Sequence, residues 1–92
     1  MDLKMQTRLR NAIMTELDLS YRAYSLVVEC EQREVTLRLF DRRSDMDDAQ
    51  MTCVARVVIS PWDDARFVEH AEVAVGMMRG AIAGYEDALR KK

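Results

Sequence analysis

No proline interrupts the chain after Pro61, and along that stretch Val68, Ala71, Val75, Met78, Ile82, Tyr85 and Leu89 alternate in steps of three and four. An apolar series with this spacing lines one side of a helix and has to be buried. Phe67, Ala74, Ala81 and Ala88 widen it. In a chain of 92 residues this commits about a third of the polypeptide to one rod. Ser60 is placed as N-cap, and Pro61 at the first helical position, where its missing N–H costs nothing. Asp63 is placed for a capping box, and Asp64 favours the positive helix end. The predicted helix spans about 61–90, roughly 45 Å at ~1.5 Å per residue.

Upstream the hydrophobic period changes twice. Met5, Leu9, Ala12, Ile13 and Leu17 recur at helical spacing and predict a helix over about 2–17, with Asp2 as N-cap. From Tyr21 the period becomes two. Tyr24, Leu26, Val28 and Cys30 share one face of a strand over about 22–30. Val35, Leu37 and Leu39 share a face over about 35–40, and Cys53, Ala55, Val57 and Ile59 do so over about 51–59. Between the first two strands, Glu31-Gln32-Arg33-Glu34 lacks Asn-Gly and predicts a four- or five-residue hairpin loop. Such clean alternation means antiparallel strands with one wet side. The expected fold is a single α+β domain over 1–92, ordered α-β-β-β-α. It is a three-stranded antiparallel meander with a short N-terminal and a long C-terminal helix on one face.

Composition narrows the function. The chain is 49% hydrophobic and 33% charged with a net charge of −2, which is too apolar for intrinsic disorder. Residues 1–43 carry net +1 and residues 44–92 net −3, so no strongly basic surface invites phosphate. No apolar run reaches the ~20 residues that cross a bilayer, and Met1 to Gln6 lack the pattern of a secretory signal. Cys30 and Cys53 form no CxxC and sit on expected core faces. The expected setting is reducing and cytoplasmic, without a membrane or a disulfide framework.

The chemistry of catalysis is sparse. His70 is the only histidine, and no second ligand follows it at helical spacing, so no zinc site is expected. Asp45, Asp47 and Asp48, near Asp41, are the densest carboxylate cluster, but the connector 41–50 has no glycine for a tight cation loop. There is no Gly-x-Ser-x-Gly elbow and no phosphate-cradling loop. The expectation is a protein with no catalytic residues, metal or cofactor. Asp45, Asp47 and Asp48 are candidates to meet a larger, arginine-rich partner, and Trp62 at the helix start is either a staple onto the sheet or an exposed contact residue.

All three glycines lie on the predicted long helix, as Gly76-x-x-x-Gly80-x-x-x-Gly84, away from the centre of the apolar stripe. Each costs about 1 kcal/mol relative to Ala in a helix interior. With Val73 and Met77 they form a second, smooth face. The first helix, or a second copy in a two-fold homodimer, packs there, or the glycines stand in water. Val73, Gly76, Met77, Gly80 and Gly84 are the candidate self-association residues. A second class of function, nucleic-acid association, would use Arg8, Arg33, Arg38, Arg42 and Arg43 on the first helix and second strand. It requires those five to converge.

The element order is similar to that of the double-stranded-RNA-binding domain. That family places a lysine-rich cluster at the start of its second helix; the matching stretch here, Ser60 to Arg66, is acidic, and no site is carried over. Size and element order also resemble small phage-encoded inhibitor proteins, including some anti-CRISPR proteins. That likeness implies a module that binds and occludes a larger protein, as inhibitor or adaptor.

Overall fold

A computed structural model describes residues 1–43 and 52–91. Leu3–Glu16 form helix α1, capped by the Asp2 carboxylate, which accepts from the Met5 N–H at 2.8 Å. Its stripe buries Leu9 and Ile13 completely, and Leu17 follows them into the core. The helix ends where Asp18 takes a left-handed conformation, φ 57°, with no capping hydrogen bond from its side chain. A short 3-10 turn, Leu19–Tyr21, leads into the sheet.

Strands β1 (Tyr24–Glu31), β2 (Glu34–Asp41) and β3 (Thr52–Ile59) form an antiparallel sheet in the order β1-β2-β3. Helix α2 (Phe67–Arg90) closes the fold, lying over β3 while α1 lies over β1. The fold is α+β with the layout α-β-β-β-α. Val35, Leu37 and Leu39 on the central strand are fully buried between sheet and helices, and they meet Ala74, Val75, Met78 and Ile82 of α2 in one core. At ~1.5 Å per residue, the 24 residues of α2 reach roughly 36 Å, so the helix runs along the 43 Å dimension of the molecule.

Three local expectations are corrected. The hairpin between β1 and β2 has two loop residues, Gln32 and Arg33, because Glu31 pairs directly with Glu34. Gln32 supplies the positive φ, 56°, that a tight turn demands. The turn is also tied from outside, since the Trp62 backbone N–H donates to the Arg33 carbonyl at 2.7 Å.

That tie belongs to the second correction. The last helix starts at Phe67, not at Pro61. Pro61 follows a cis peptide bond, and a 3-10 turn at Asp64–Arg66 precedes the helix. Asp63 caps this turn by accepting from the Ala65 N–H at 3.0 Å. Trp62 is 5% exposed and packs edge-on against Phe67, with its indole N–H donating to Asp64. Burying an indole stabilises by an amount on the order of 4 kcal/mol by area, whereas an N-cap contributes about 1 kcal/mol. Burial of the ring therefore outweighs an earlier helix start, and residues 60–63 run past the sheet to place it. Trp62 is a staple and not an exposed contact residue.

The third correction is a β-bulge. Leu39 faces Ala55, but Phe40 faces Cys53, which makes Val54 the extra residue. Side chains before the bulge change faces. Val54 turns toward the core, while Cys53 joins the outer side and is exposed. The expected core position of Cys53 is therefore wrong, and Thr52 comes to lie opposite Asp41. Val68 and Ala88 of the predicted apolar stripe are also exposed.

Two outcomes are expected from these features. Replacing Asp18 by Gly removes the left-handed penalty at the end of α1 and raises stability by about 1 kcal/mol, read as a rise of roughly 4–8 °C in Tm. In the folded protein, Cys53 reacts with a disulfide reagent such as DTNB faster than half-buried Cys30; equal protection of both thiols would contradict the bulge.

Candidate self-association face

The rotation of α2 decides which of its residues reach water. Phe67, Ala74, Val75, Met78 and Ile82 face the core. Near its C-terminal end a polar clasp fixes the same rotation. The Tyr85 hydroxyl donates to Asp41 Oδ2 at 2.6 Å, and the Arg43 Nε donates to Asp41 Oδ1 at 3.0 Å. The Tyr24 hydroxyl donates to Glu86 Oε1 at 2.9 Å and accepts from Arg43 Nη2 at 3.1 Å. Arg22 Nη2 reaches Glu86 at 3.2 Å. The Arg43 guanidinium lies over both tyrosine rings, 5.3 and 5.7 Å from their centroids.

These contacts move the acidities of their members. Burial would raise the Asp41 carboxyl, but hydrogen bonds from Arg43 and Tyr85 outweigh it and hold the group below its ordinary range. The hydrogen bond from Tyr24 is the main cause that keeps Glu86 low, against burial. Burial first, then the hydrogen bond to Glu86, pushes Tyr24 up to about 12. Tyr85 is raised chiefly by its bond to Asp41. Both phenols are thus held in their neutral form, as donors to carboxylates. The clasp joins the end of the sheet to α2 and leaves no activated nucleophile in it.

At about 100° per residue, the side of α2 opposite the core carries Glu69, Val73, Gly76, Met77, Gly80, Gly84 and Asp87. Val73 is 56% exposed and Met77 55%. Among the described residues, a Cβ added at Gly76, Gly80 or Gly84 meets nothing within 4 Å. Helix α1 therefore does not pack on the glycines, which removes the intramolecular account of them. It touches the neighbouring flank of α2 instead. There Ala12 and Glu16 of α1 and Val68, Glu72, Gly76 and Arg79 of α2 line a groove of about 480 Å³. Five of the predicted site residues, Val73, Gly76, Met77, Gly80 and Gly84, thus share one exposed surface.

The other candidates are dispersed. Asp45, Asp47 and Asp48 lie outside the described residues. His70 stacks on Trp62 with centroids 4.7 Å apart, and its Nε2 accepts from the Asp63 N–H at 3.3 Å. Among the described residues no group of three or more His, Cys, Asp or Glu is arranged to hold a metal ion. Arg8 lies over the Phe67 ring at 4.2 Å, Arg33 is at the hairpin tip, Arg38 pairs with Glu29 on the outer face of the sheet, and Arg43 belongs to the clasp. These four arginines thus sit on different parts of the fold: α1, the hairpin tip, the outer face of β2 and the clasp.

Sequence reasoning missed the clasp. A signal was present: Asp41 continues the parity of Val35, Leu37 and Leu39, so it was due on the buried face. A carboxylate at such a position needs donors, and Tyr85 on the apolar stripe is one. No protein-family model, curated protein or solved structure matches the chain. Among the described residues no helix is long and apolar enough to cross a membrane.

The clasp makes stability depend on pH at both ends. Asp41 and Glu86 have lowered folded values, so their contribution is complete above the ordinary carboxylate range and is lost as pH falls through those values. Tyr24 is raised from 10.0, so its contribution is complete below pH 10.0 and is lost as pH rises toward about 12. Tyr85→Phe deletes one donor to Asp41. It should cost about 2 kcal/mol near neutral pH and shift the acid unfolding midpoint upward, as followed by urea titration and by circular dichroism against pH.

Proposed function

We propose that this protein is a non-enzymatic interaction module. Two copies associate through the exposed face of α2, and the pair binds and occludes a larger protein, as an inhibitor or adaptor. The observation that carries the first part is an imbalance. Three glycines in one helix cost about 3 kcal/mol relative to alanine, yet among the described residues a Cβ at any of the three meets nothing within 4 Å. A second copy packed against α2 would give them a steric reason. Val73 and Met77 beside them supply apolar area that water alone does not favour.

Two features support the second part. The clasp tyrosines are held neutral, and no activated nucleophile accompanies them. The outer face of the sheet carries Val27, Val58 and half-buried Phe40, with Val27 40% and Val58 42% exposed, on the side away from both helices. Arg38, paired with Glu29, stands among them on the central strand, and a face that mixes apolar groups with charge suits contact with another protein's surface. Cytoplasmic action fits two free cysteines.

Gly80→Leu is the direct test. A Cβ at position 80 meets nothing within 4 Å among the described residues and leucine favours helix, so circular dichroism should be unchanged or show a higher Tm. The mass in solution should fall from twice 10.7 kDa to 10.7 kDa. A starting protein that is already monomeric, or a Gly80→Leu protein that stays dimeric, would contradict this reading.

A further inference from the structure

We infer that the free edge of β3, beside the flank of α2 that faces away from α1, takes an extended segment of a partner protein, which adds a strand to the sheet and sets an acidic side chain beside Arg56. This gives the binding role proposed above a ligand class and rests on that part of the reading; it does not require two copies.

The main chain carries the argument. β1 and β3 are the two edges of the sheet. The hairpin closes on Glu31 and Glu34, and at the far end of the pair the Arg42 N–H donates to the Ala23 carbonyl at 2.6 Å. Antiparallel partners alternate between bonded and non-bonded pairs. Ser25, Val27 and Glu29 therefore bond to β2, and the backbone groups of Leu26 and Val28 point out of the sheet. That edge is guarded, because the Leu26 carbonyl accepts from Arg10 Nε of α1 at 3.2 Å. The same alternation carried across β2 turns Val35, Leu37 and Leu39 toward Ile59, Val57 and Ala55. The N–H and C=O groups of Arg56 and Val58 then point away from the sheet. Among the described residues no side chain or turn bonds to them. Such an edge is a template for another strand. The bulge at Val54 breaks the register, so the regular part of this edge is 55–59.

Helix spacing decides what occupies it. α2 lies over β3. Pairing with β3 of a second copy would set the strands ~4.8 Å apart and bring two copies of α2 to about that distance, whereas packed helices need about 8–10 Å. A lone extended segment brings no helix and meets no such limit. The flank of α2 toward α1 carries Val68, Glu72, Gly76 and Arg79. At about 100° per residue, Met77, Ala81, Gly84 and Ala88 fall on the other flank, above the free edge. Three of these four are short, which leaves space for side chains that the added strand turns toward the helix layer. Apolar ones there would extend the core past half-buried Val54 and Ala55.

Charge sets the alternate side chains. Arg56 is exposed on the outer face, opposite Arg38, which is paired with Glu29. Among the described residues Arg56 takes part in no ion pair. Unlike charges opposite one another across a strand pair attract, and like charges repel. The segment that fits is therefore acidic on the side of Arg56 and apolar on the side of α2, with main-chain bonds holding both in register.

The probe is a capped peptide of alternating valine and aspartate, added to the full chain labelled with nitrogen-15. In the free protein the amides of Arg56 and Val58 should exchange with solvent far faster than that of Val57. At saturating peptide both should slow about tenfold or more. A peptide N-methylated at every residue should not bind. Arg56→Glu, an exposed substitution, should keep the fold by circular dichroism, bind the peptide about tenfold less tightly, and prefer a valine–lysine peptide instead. Edge amides already protected in the free chain would mean that the chain occupies its own edge, and would overturn the proposal. So would binding that leaves those amides fast, or that survives N-methylation. A peptide that does not bind overturns the site and leaves the binding role to the outer face of the sheet. None of these readouts is the mass in solution, so self-association stands or falls separately.

Discussion

Tyr85 and Glu86 are neighbours on α2, yet each is bound to a different carboxylate–phenol pair at the end of the sheet. Tyr85 donates to Asp41, and Glu86 accepts from Tyr24. Adjacent residues point about 100° apart on a helix, so two such bonds set both the position and the rotation of α2. An apolar stripe alone is broad enough to tolerate some rolling; directional hydrogen bonds to partly buried carboxylates are not. Everything on the outer surface of α2 follows from that rotation. Val73, Gly76, Met77, Gly80 and Gly84 face water because Ala74, Val75, Met78 and Ile82 are held inward by the core and Tyr85 by the clasp.

The other end of α2 is governed by Trp62. Its ring is enclosed by Phe67 and His70, and its backbone N–H reaches across to the β1–β2 turn. One residue thus joins the hairpin tip, the exit from β3 and the first turn of α2. Arg8 over the Phe67 ring extends the same cluster to α1. The aromatic cluster and the polar clasp hold α2 near its two ends, and the exposed helix face lies between them.

Much of the architecture was legible from residue spacing. The three-four series in α1 and α2 and the alternation in β1 and β2 each report which side of an element is buried, and that is a local property. The helix bounds of α1 were readable to within a residue because Asp2 caps through its own side chain. The candidate face was readable as well, since glycines at steps of four must share a side of any helix that contains them. Asp41 was overlooked because its donors come from Arg43 and from Tyr85, which is 44 residues away.

The sequence by itself determined the element order, the two helices and three strands, and the composition of each face, because periodicity is written within a few residues. Only the tertiary structure decided that α2 begins at Phe67, that Val54 bulges and turns Cys53 outward, and that α1 passes beside the glycines without covering them. Those outcomes depend on contacts between distant segments: Trp62 with the hairpin, β2 with β3, and α1 with the flank of α2. A local pattern states what an element wants to bury; which neighbour arrives to bury it is settled when the layers pack.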